Sequence, residues 1–246
     1  MSILKNIFGR IWALWGLIIF FATLLIVLIP ILITFKVKEP LGTEIFRNIS
    51  KAWMTVFLTM IGCRLVIKGK HHFKKGETYV VVCNHNSFMD VPVTTPFLPG
   101  ANKTIAKKSM AKIPLFGWIY SRGAVLVDRD SDESRRQSFE IMKQTLAEGL
   151  HMVIYPEGTR NRTKEPLKAF YDGAFKLATA TNTNIIPTLL FNTNKVLPTH
   201  KFFYLWPKTL EMHFLPVVET ATLPMKEIKD KVFTIMWTYY KDHQTS

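Results

Sequence analysis

An apolar stretch near the N-terminus restricts the fold of this chain more than any other feature. It runs from Ile11 to Phe35 without a charged residue. A helix of that length can cross the hydrocarbon core of a bilayer, and Trp12 and Trp15 lie near one end, where indole rings favour the headgroup region. A cleaved signal peptide has a shorter apolar region and a small-residue cleavage site, and no such site follows here. The stretch therefore predicts a retained membrane segment, and Pro30 leaves open whether it spans straight or bends back.

A second helical pattern follows a break that contains Pro40 and Gly42. Apolar residues recur at helical spacing over residues 45–62, and polar residues occupy the other face. Such a helix can lie in the membrane interface or pack on a soluble domain, because both environments reward amphipathicity. We predict a membrane anchor over residues 1–63, made of an apolar helix 11–35 and an amphipathic helix 45–62, and a second domain over residues 64–246.

Beyond residue 64, short apolar runs alternate with helical patterns. One predicted helix starts at Asp130 or Ser131 and stops at Gly149, and a last helix includes residues 232–240. Alternating strands and helices favour an α/β domain with a largely parallel sheet flanked by helices. The predicted strands are Tyr79–Cys83, Gly123–Val127, His151–Tyr155, Ile185–Leu190 and Leu210–Leu215.

The formal net charge of +14 suggests an anionic partner, which can be nucleic acid, an anionic membrane surface or a phosphorylated substrate. No helix-turn-helix, zinc-finger or RNA-binding signature is present, and membrane attachment accounts for the basic excess, so we expect no nucleic-acid partner. Cys63 and Cys83 match no metal or disulfide pattern. His71 and His72 have no second ligand cluster at suitable spacing, so we expect no metal site.

Polar residues follow the first predicted strand of the α/β domain in the segment Asn84–Asp90. His85 and Asp90 can face each other across a turn at the start of a helix. The carboxylate would then fix the imidazole tautomer, and the free ring nitrogen could take a proton from a hydroxyl. This spacing also arises by chance, and a histidine satisfied inside a loop remains an alternative.

Two further predicted strands end in loops that carry cations. Asp128-Arg129 follows one strand, and Pro156-Glu157-Gly158-Thr159-Arg160 follows another. An arginine at such a position can hold a phosphate with two parallel hydrogen bonds, while the neighbouring glycine permits a close backbone approach and the threonine adds a hydroxyl. A solvated turn is the alternative.

Four ordered segments resemble the sequence blocks of the glycerolipid acyltransferase family. They are Asn84–Asp90, Gly123–Arg129, Pro156–Arg160 and Ile185–Leu190, and the stretch Ala106–Trp118 between them is also similar to that family. The resemblance implies that His85 deprotonates an acceptor hydroxyl and that Asp90 orients His85. It implies substrate binding by Arg129, Glu157, Gly158, Thr159 and Arg160, and a channel-shaping role for Pro187.

The implied activity is transfer of a fatty acyl chain from a thioester to the free hydroxyl of a lysophospholipid, with lysophosphatidic acid as the expected acceptor. No cofactor is expected, and the acyl donor is acyl-coenzyme A or an acyl carrier protein. We also expect the catalytic domain to lie on the cytoplasmic face of the membrane, against its lipids.

One departure from the family keeps another headgroup open. Phe170-Tyr171-Asp172-Gly173-Ala174 stands where relatives often carry two lysines between the Phe and the Gly. A membrane-bound lipid hydrolase or thioesterase is a further alternative, although the chain has no G-x-S-x-G motif. A late basic and aromatic segment, residues 200–206, can either dip into the membrane interface or pack on the core.

Overall fold

The computed structural model describes residues 3–128 and 130–243 and shows a sheet with helices on both faces. The strands of the described residues are β1 (Leu65–Lys68), β2 (Val80–Cys83), β3 (Asn102–Lys107), β4 (Ala124–Val127), β5 (His151–Ile154), β6 (Ile185–Phe191) and β7 (Leu210–Phe214). The α-helices are α1 (Ile3–Ile33), α2 (Leu41–Met60), α3 (Asp90–Thr94), α4 (Phe116–Gly123), α5 (Asp132–Ala147), α6 (Gly173–Ala180), α7 (Thr193–Val196) and α8 (Met225–His243).

The strands form one sheet in the order β1-β7-β6-β2-β5-β3-β4. Every neighbouring pair is parallel except β6 and β7. Strand β2 lies between β5 and β6, so that Val81 is opposite both Val153 and Ile186. The architecture is therefore α/β with a largely parallel sheet, as predicted, and the carboxyl ends of β2, β5 and β6 meet at one edge.

Both faces of the sheet are buried, because successive strand residues point to opposite sides and each side carries a helical layer. On one side Val80 and Met152 join a core with α5, α6 and α8. On the other side Val81 and Val153 join a core that includes residues of α1 and α2, such as Leu24 and Phe57. The two N-terminal helices thus form one of the layers that cover the sheet.

Helices α1 and α2 form an antiparallel hairpin. Trp12 Nε1 donates to Ile61 O at 3.0 Å near one end, and Trp53 Nε1 donates to Thr23 Oγ1 at 2.8 Å near the middle. The sequence predicted these helices over residues 11–35 and 45–62, and the structure extends the first toward the N-terminus.

Helix α1 contacts the rest of the protein near both of its ends. The Leu205 N–H donates to Gly9 O at 3.0 Å, and Arg122 Nε donates to Thr34 Oγ1 at 3.1 Å, just beyond the last turn of α1. Since a helix rises about 1.5 Å per residue, these contacts are roughly 38 Å apart along the helix axis. Helix α1 therefore lies along the α/β layer rather than pointing away from it.

By length and apolar character, one helix of the described residues is able to cross a membrane, and it is the segment Ile3–Lys36 that contains α1. Only 22% of its most apolar window is buried inside the protein. The domain boundary at residue 63 stays a prediction, since the hairpin shares a core with the sheet.

The helix after β4 has the predicted start. Ser131 precedes α5, and its hydroxyl accepts the Ser134 N–H at 3.2 Å, which satisfies one of the free N–H groups of the first turn. Gly149 lies just past the end of α5 with φ +83°, where glycine is favoured.

Candidate active site

The turn after β2 brings His85 and Asp90 together. Asn84 fixes this turn to β6, because its side chain accepts the Leu190 N–H at 2.7 Å and donates to Leu190 O at 3.0 Å. His85 Nδ1 then lies 2.7 Å from Asp90 Oδ2, and Asp90 is the first residue of α3. The structure thus has the geometry that the sequence spacing predicted for this pair.

The carboxylate of Asp90 is fully buried and strongly held. Its Oδ2 also accepts the N–H groups of Asn86 at 2.6 Å and Ser87 at 2.7 Å. A carboxylate only accepts hydrogen bonds, so His85 Nδ1 is the donor of this pair, and in the neutral imidazole Nε2 then has the free lone pair. The His85 side chain is 18% exposed, which leaves its ring accessible to a substrate hydroxyl.

Glu157 is fully buried behind His85. Its Oε1 accepts the His85 N–H at 2.8 Å and its Oε2 accepts the Lys168 N–H at 3.0 Å. Burial raises the pKa of Glu157 to about 7, against the opposing effect of these two backbone donors. These two hydrogen bonds connect the turn after β2 with the segment that carries Lys168 through one buried side chain.

Arg160 lies in the same loop, beside the His85 turn. The Asn161 N–H donates to His85 O at 2.6 Å, which ties the loop after β5 to the turn after β2. The Arg160 guanidinium carbon lies 3.5 Å from the centroid of the Phe88 ring. Burial lowers the pKa of Arg160, and nearby Arg162 lowers it further. A cation is thus held over an aromatic ring three residues from His85.

Gly158 and Thr159 complete this loop. Gly158 has φ +68°, and a Cβ there would lie 2.8 Å from Cε2 of Tyr171, so both backbone and space favour glycine. Thr159 Oγ1 accepts a hydrogen bond from Lys168 Nζ at 2.7 Å.

The departure from the family pattern has a structural counterpart at Tyr171 and Asp172. Tyr171 is exposed and packs over Gly158, while Asp172 pairs with Lys229 of α8 at 2.7 Å. This surface therefore carries an aromatic ring and a neutralised acid beside the Arg160 loop.

Two predicted site residues remain, Pro187 and Arg129. Pro187 is buried within β6 opposite Val82, and its carbonyl accepts the Leu215 N–H at 2.8 Å. Arg129 falls outside the described residues. The strand before it, β4, is separated from β2 by β3 and β5. The roles of Pro187 and Arg129 stay predictions.

Sequence reasoning missed two aromatic residues of the site. The Tyr155 ring lies 4.6 Å from the His85 ring, centroid to centroid, and burial raises the pKa of Tyr155 well above its ordinary value. Phe88 supports Arg160 and is itself 60% exposed. Their positions beside the polar motifs are the signal that could have indicated them.

A largely apolar cavity of about 760 Å³ lies between the helical hairpin and the sheet layer. Phe88 and Met89 of the turn after β2 line it, and Tyr120 of α4 lies in its wall. Residues of both hairpin helices, including Phe20 and Trp53, form the opposite wall. Phe88, the ring that contacts Arg160, thus also lines a space suited to a hydrocarbon chain, and this space lies beside the turn that carries His85.

A metal centre has no support in the part of the chain that the structure describes, where no three His, Cys, Asp or Glu side chains are grouped to hold an ion. The adjacent rings of His71 and His72 lie 4.1 Å apart without a third such ligand beside them.

Curated proteins of similar sequence include several named as 1-acyl-sn-glycerol-3-phosphate acyltransferases. The chain is 27% identical over 221 residues to a 1-acyl-sn-glycerol-3-phosphate acyltransferase of Chlamydomonas reinhardtii, covering 85% of this chain and 64% of that protein. It is 30% identical over 184 residues to a chloroplastic 1-acyl-sn-glycerol-3-phosphate acyltransferase of Arabidopsis thaliana, covering 72% and 50%. The chain therefore spans between half and two thirds of the length of these two curated relatives.

A solved structure has the same fold. The crystal structure of the 1-acyl-sn-glycerophosphate acyltransferase of Thermotoga maritima matches with a TM-score of 0.83 at 18% sequence identity, and the match covers 98% of this chain and 99% of that one. The sequence model of a protein family described as acyltransferase matches residues 64–190, which include the turn after β2 and the loop after β5. This chain belongs to the acyltransferase family.

Proposed function

We propose that this protein transfers a fatty acyl group from a thioester to the free hydroxyl of lysophosphatidic acid, giving phosphatidic acid. The observation that carries the proposal is the His85–Asp90 pair, 2.7 Å apart, in a turn whose Phe88 and Met89 line an apolar cavity of about 760 Å³. The two curated relatives, named as 1-acyl-sn-glycerol-3-phosphate acyltransferases, support the choice of acceptor.

The reaction is direct transfer with His85 as the base. His85 Nε2 takes the proton of the acceptor hydroxyl, and the oxygen attacks the thioester carbonyl. The new C–O bond forms, the C–S bond breaks, and the thiolate leaves and takes the proton back from the imidazolium. Asp90 stabilises that imidazolium through Nδ1. General base catalysis of this kind contributes roughly 10²–10⁴-fold to the rate.

The remaining site residues bind or position. Arg160, stacked on Phe88, holds the acceptor phosphate, with Arg129 as a second cation and Thr159 as a hydroxyl donor. Glu157 positions the His85 backbone, and Gly158 allows the loop to turn under Tyr171. Pro187, within β6, supports the walls of the substrate channel from inside the sheet.

The cavity beneath Phe88 takes a hydrocarbon chain. Its volume is in the range that buries most of a small ligand, and its lining is predominantly apolar. Since both hairpin helices form its wall, a lipid can enter from a membrane without full transfer into water.

The side of α1 that faces away from the α/β layer, here called its free side, supports membrane attachment. Ile3, Leu4 and Ile26 are each more than 70% exposed, and Ile11 and Ile29 are each more than 60% exposed. Because α1 contacts the α/β layer near both ends, we propose that its free side enters one leaflet and does not span the bilayer. The basic excess then holds the catalytic domain against the anionic cytoplasmic face, at about 1 kcal/mol per well-placed Lys or Arg.

The experiment uses the purified full chain in mixed micelles with a panel of lysolipids and with both coenzyme A and acyl carrier protein thioesters. Mass spectrometry of the products should show phosphatidic acid, and His85→Ala should abolish it while the protein remains folded. Retention of most turnover by His85→Ala would refute the mechanism.

The panel also tests the alternatives. Preferred acylation of a different lysolipid would assign another headgroup, a result that Tyr171 and the paired Asp172 make worth testing. Release of fatty acid at a rate independent of any lysolipid would make the protein a thioesterase instead.

A further inference from the structure

The segment from His200 to Trp206, here called the aromatic loop, is held firmly at its C-terminal end. The Leu205 N–H donates to Gly9 O at 3.0 Å and the Trp206 N–H donates to Val196 O at 2.9 Å. The Tyr204 ring lies so close to Gly9 that a Cβ at Gly9 would overlap it. The loop is therefore fixed to the N-terminal part of α1 through backbone and ring contacts.

The tip of the aromatic loop is apolar and exposed. Phe202 is 89% exposed, the highest value among the exposed large apolar side chains of the described residues, and Phe203 is 39% exposed. Phe203 also has φ +49°, a left-handed conformation that is uncommon for a bulky residue. The loop thus presents two phenyl rings to the surroundings in a backbone conformation that its neighbours must hold.

This apolar tip continues the exposed face of α1. Phe8 of α1 contacts Trp206 with ring centroids 5.2 Å apart, and Ile7, one residue before it, is 51% exposed. The loop also lines the cavity beside the hairpin. The aromatic loop therefore stands between the free side of α1 and the space assigned to the acyl chain.

A cation lies within the aromatic loop, and two more flank the loop in the chain. The Lys201 ammonium is 4.3 Å from the centroid of the Tyr204 ring. Burial lowers the pKa of Lys195, and the charge of nearby Lys208 lowers it further. Phenyl rings beside lysines fit the boundary between acyl chains and anionic headgroups.

We infer that Phe202 and Phe203 insert into the interface of an anionic phospholipid bilayer and form a second membrane contact beside α1. The inference rests on the proposed membrane attachment. The inference places the aromatic loop on the side of the cavity from which lipid chains enter.

The test places a depth-sensitive fluorophore on single added cysteines in the full chain. Cys63 and Cys83 are buried, and the unmodified chain shows any background labelling. Phe202→Cys reports on the loop and Ile7→Cys on α1. Ile141→Cys, on α5 and 49% exposed, is the matched control. Each labelled protein is reconstituted in vesicles of phosphatidylcholine and phosphatidylglycerol that contain a lipid with a nitroxide on its acyl chain.

We expect the nitroxide to quench the labels at positions 202 and 7 several-fold more than the label at 141. Quenching at 7 with position 202 equal to 141 would overturn the loop contact alone. Equal quenching at all three positions would overturn the proposed membrane attachment and the loop contact together. Protection of position 202 from aqueous iodide without nitroxide quenching would indicate a second copy of the chain and also overturn it. None of these measurements involves acyl transfer, so a failure of the loop contact can be distinguished from a failure of the proposed activity.

Discussion

Replacement of Asp90 by Asn tests the charge of the buried carboxylate with almost no change of shape. Asp90 Oδ2 lies 2.7 Å from His85 Nδ1. When His85 becomes an imidazolium during the reaction, Coulomb attraction across that distance is worth at most roughly 6 kcal/mol at an effective dielectric constant of about 20. Loss of the charge therefore removes much of the stabilisation that general base catalysis needs.

We expect Asp90→Asn to lower kcat about 10²–10⁴-fold, which corresponds to roughly 3–5 kcal/mol in the activation free energy. The new amide nitrogen takes the place of Asp90 Oδ1, which is buried and has no hydrogen-bond partner among the described residues. An unsatisfied buried donor costs about 1–3 kcal/mol, so the free energy of unfolding should fall by that amount.

The assay is initial-rate acyl transfer at saturating donor and acceptor, with thermal unfolding of the same preparations. The matched control is Asp230→Asn, because Asp230 is exposed on α8. The control should keep normal turnover and stability. A folded Asp90→Asn protein with more than about a tenth of normal kcat would refute the reasoning, since a charge-stabilised base cannot lose so little.

Three other perturbations have definite expected outcomes. Arg160→Lys should raise KM for lysophosphatidic acid about tenfold and leave KM for the donor unchanged, because an ammonium cannot bind phosphate in the bidentate manner, and equal effects on both would contradict a phosphate contact. Burial raises the pKa of Glu157 from 4.5 to about 7, so its contribution to stability is complete below pH 4.5 and is lost as the pH rises through 7. The free energy of unfolding of the normal protein, relative to Glu157→Gln, should therefore fall by about 3 kcal/mol between pH 4.5 and pH 7.5 in denaturant titrations, and a flat difference would contradict the burial effect. Arg122→Met should lower the free energy of unfolding by about 3 kcal/mol, because it removes the 2.8 Å pair with Glu39 that joins the hairpin turn to α4, and an unchanged unfolding midpoint would show that the pair is dispensable.

The sequence predicted a secondary-structure element correctly where its residues had a clear hydrophobic periodicity or where a capping residue marked its end. The apolar and amphipathic patterns predicted α1 and α2, and Ser131 predicted the start of α5. Strand β3 was not predicted, because Asn102 and Lys103 give it a polar appearance. In the sheet, Asn102 is buried and its side chain donates to Thr95 O, while Thr104 donates to Val153 O, so burial of these polar residues depends on partners remote in sequence.

The active-site motif shows the same division. Spacing predicted that His85 and Asp90 could meet, because only five residues separate them. It could not predict that Glu157 has both oxygens engaged by the His85 and Lys168 N–H groups, since that arrangement requires β2 and β5 to be neighbours. Nor did it indicate Phe88 as the support of Arg160.

The sequence by itself determined the α/β class, the apolar N-terminal helix and the residue types at the ends of β2 and β5, because these depend on local periodicity and composition. The tertiary structure alone decided the strand order, the position of α1 along the α/β layer and the cavity between them. Those features arise from contacts such as Leu205 with Gly9 and Arg122 with Thr34, which join residues far apart in the chain. No local pattern specifies such pairings, because their free energy appears only when separate elements pack together.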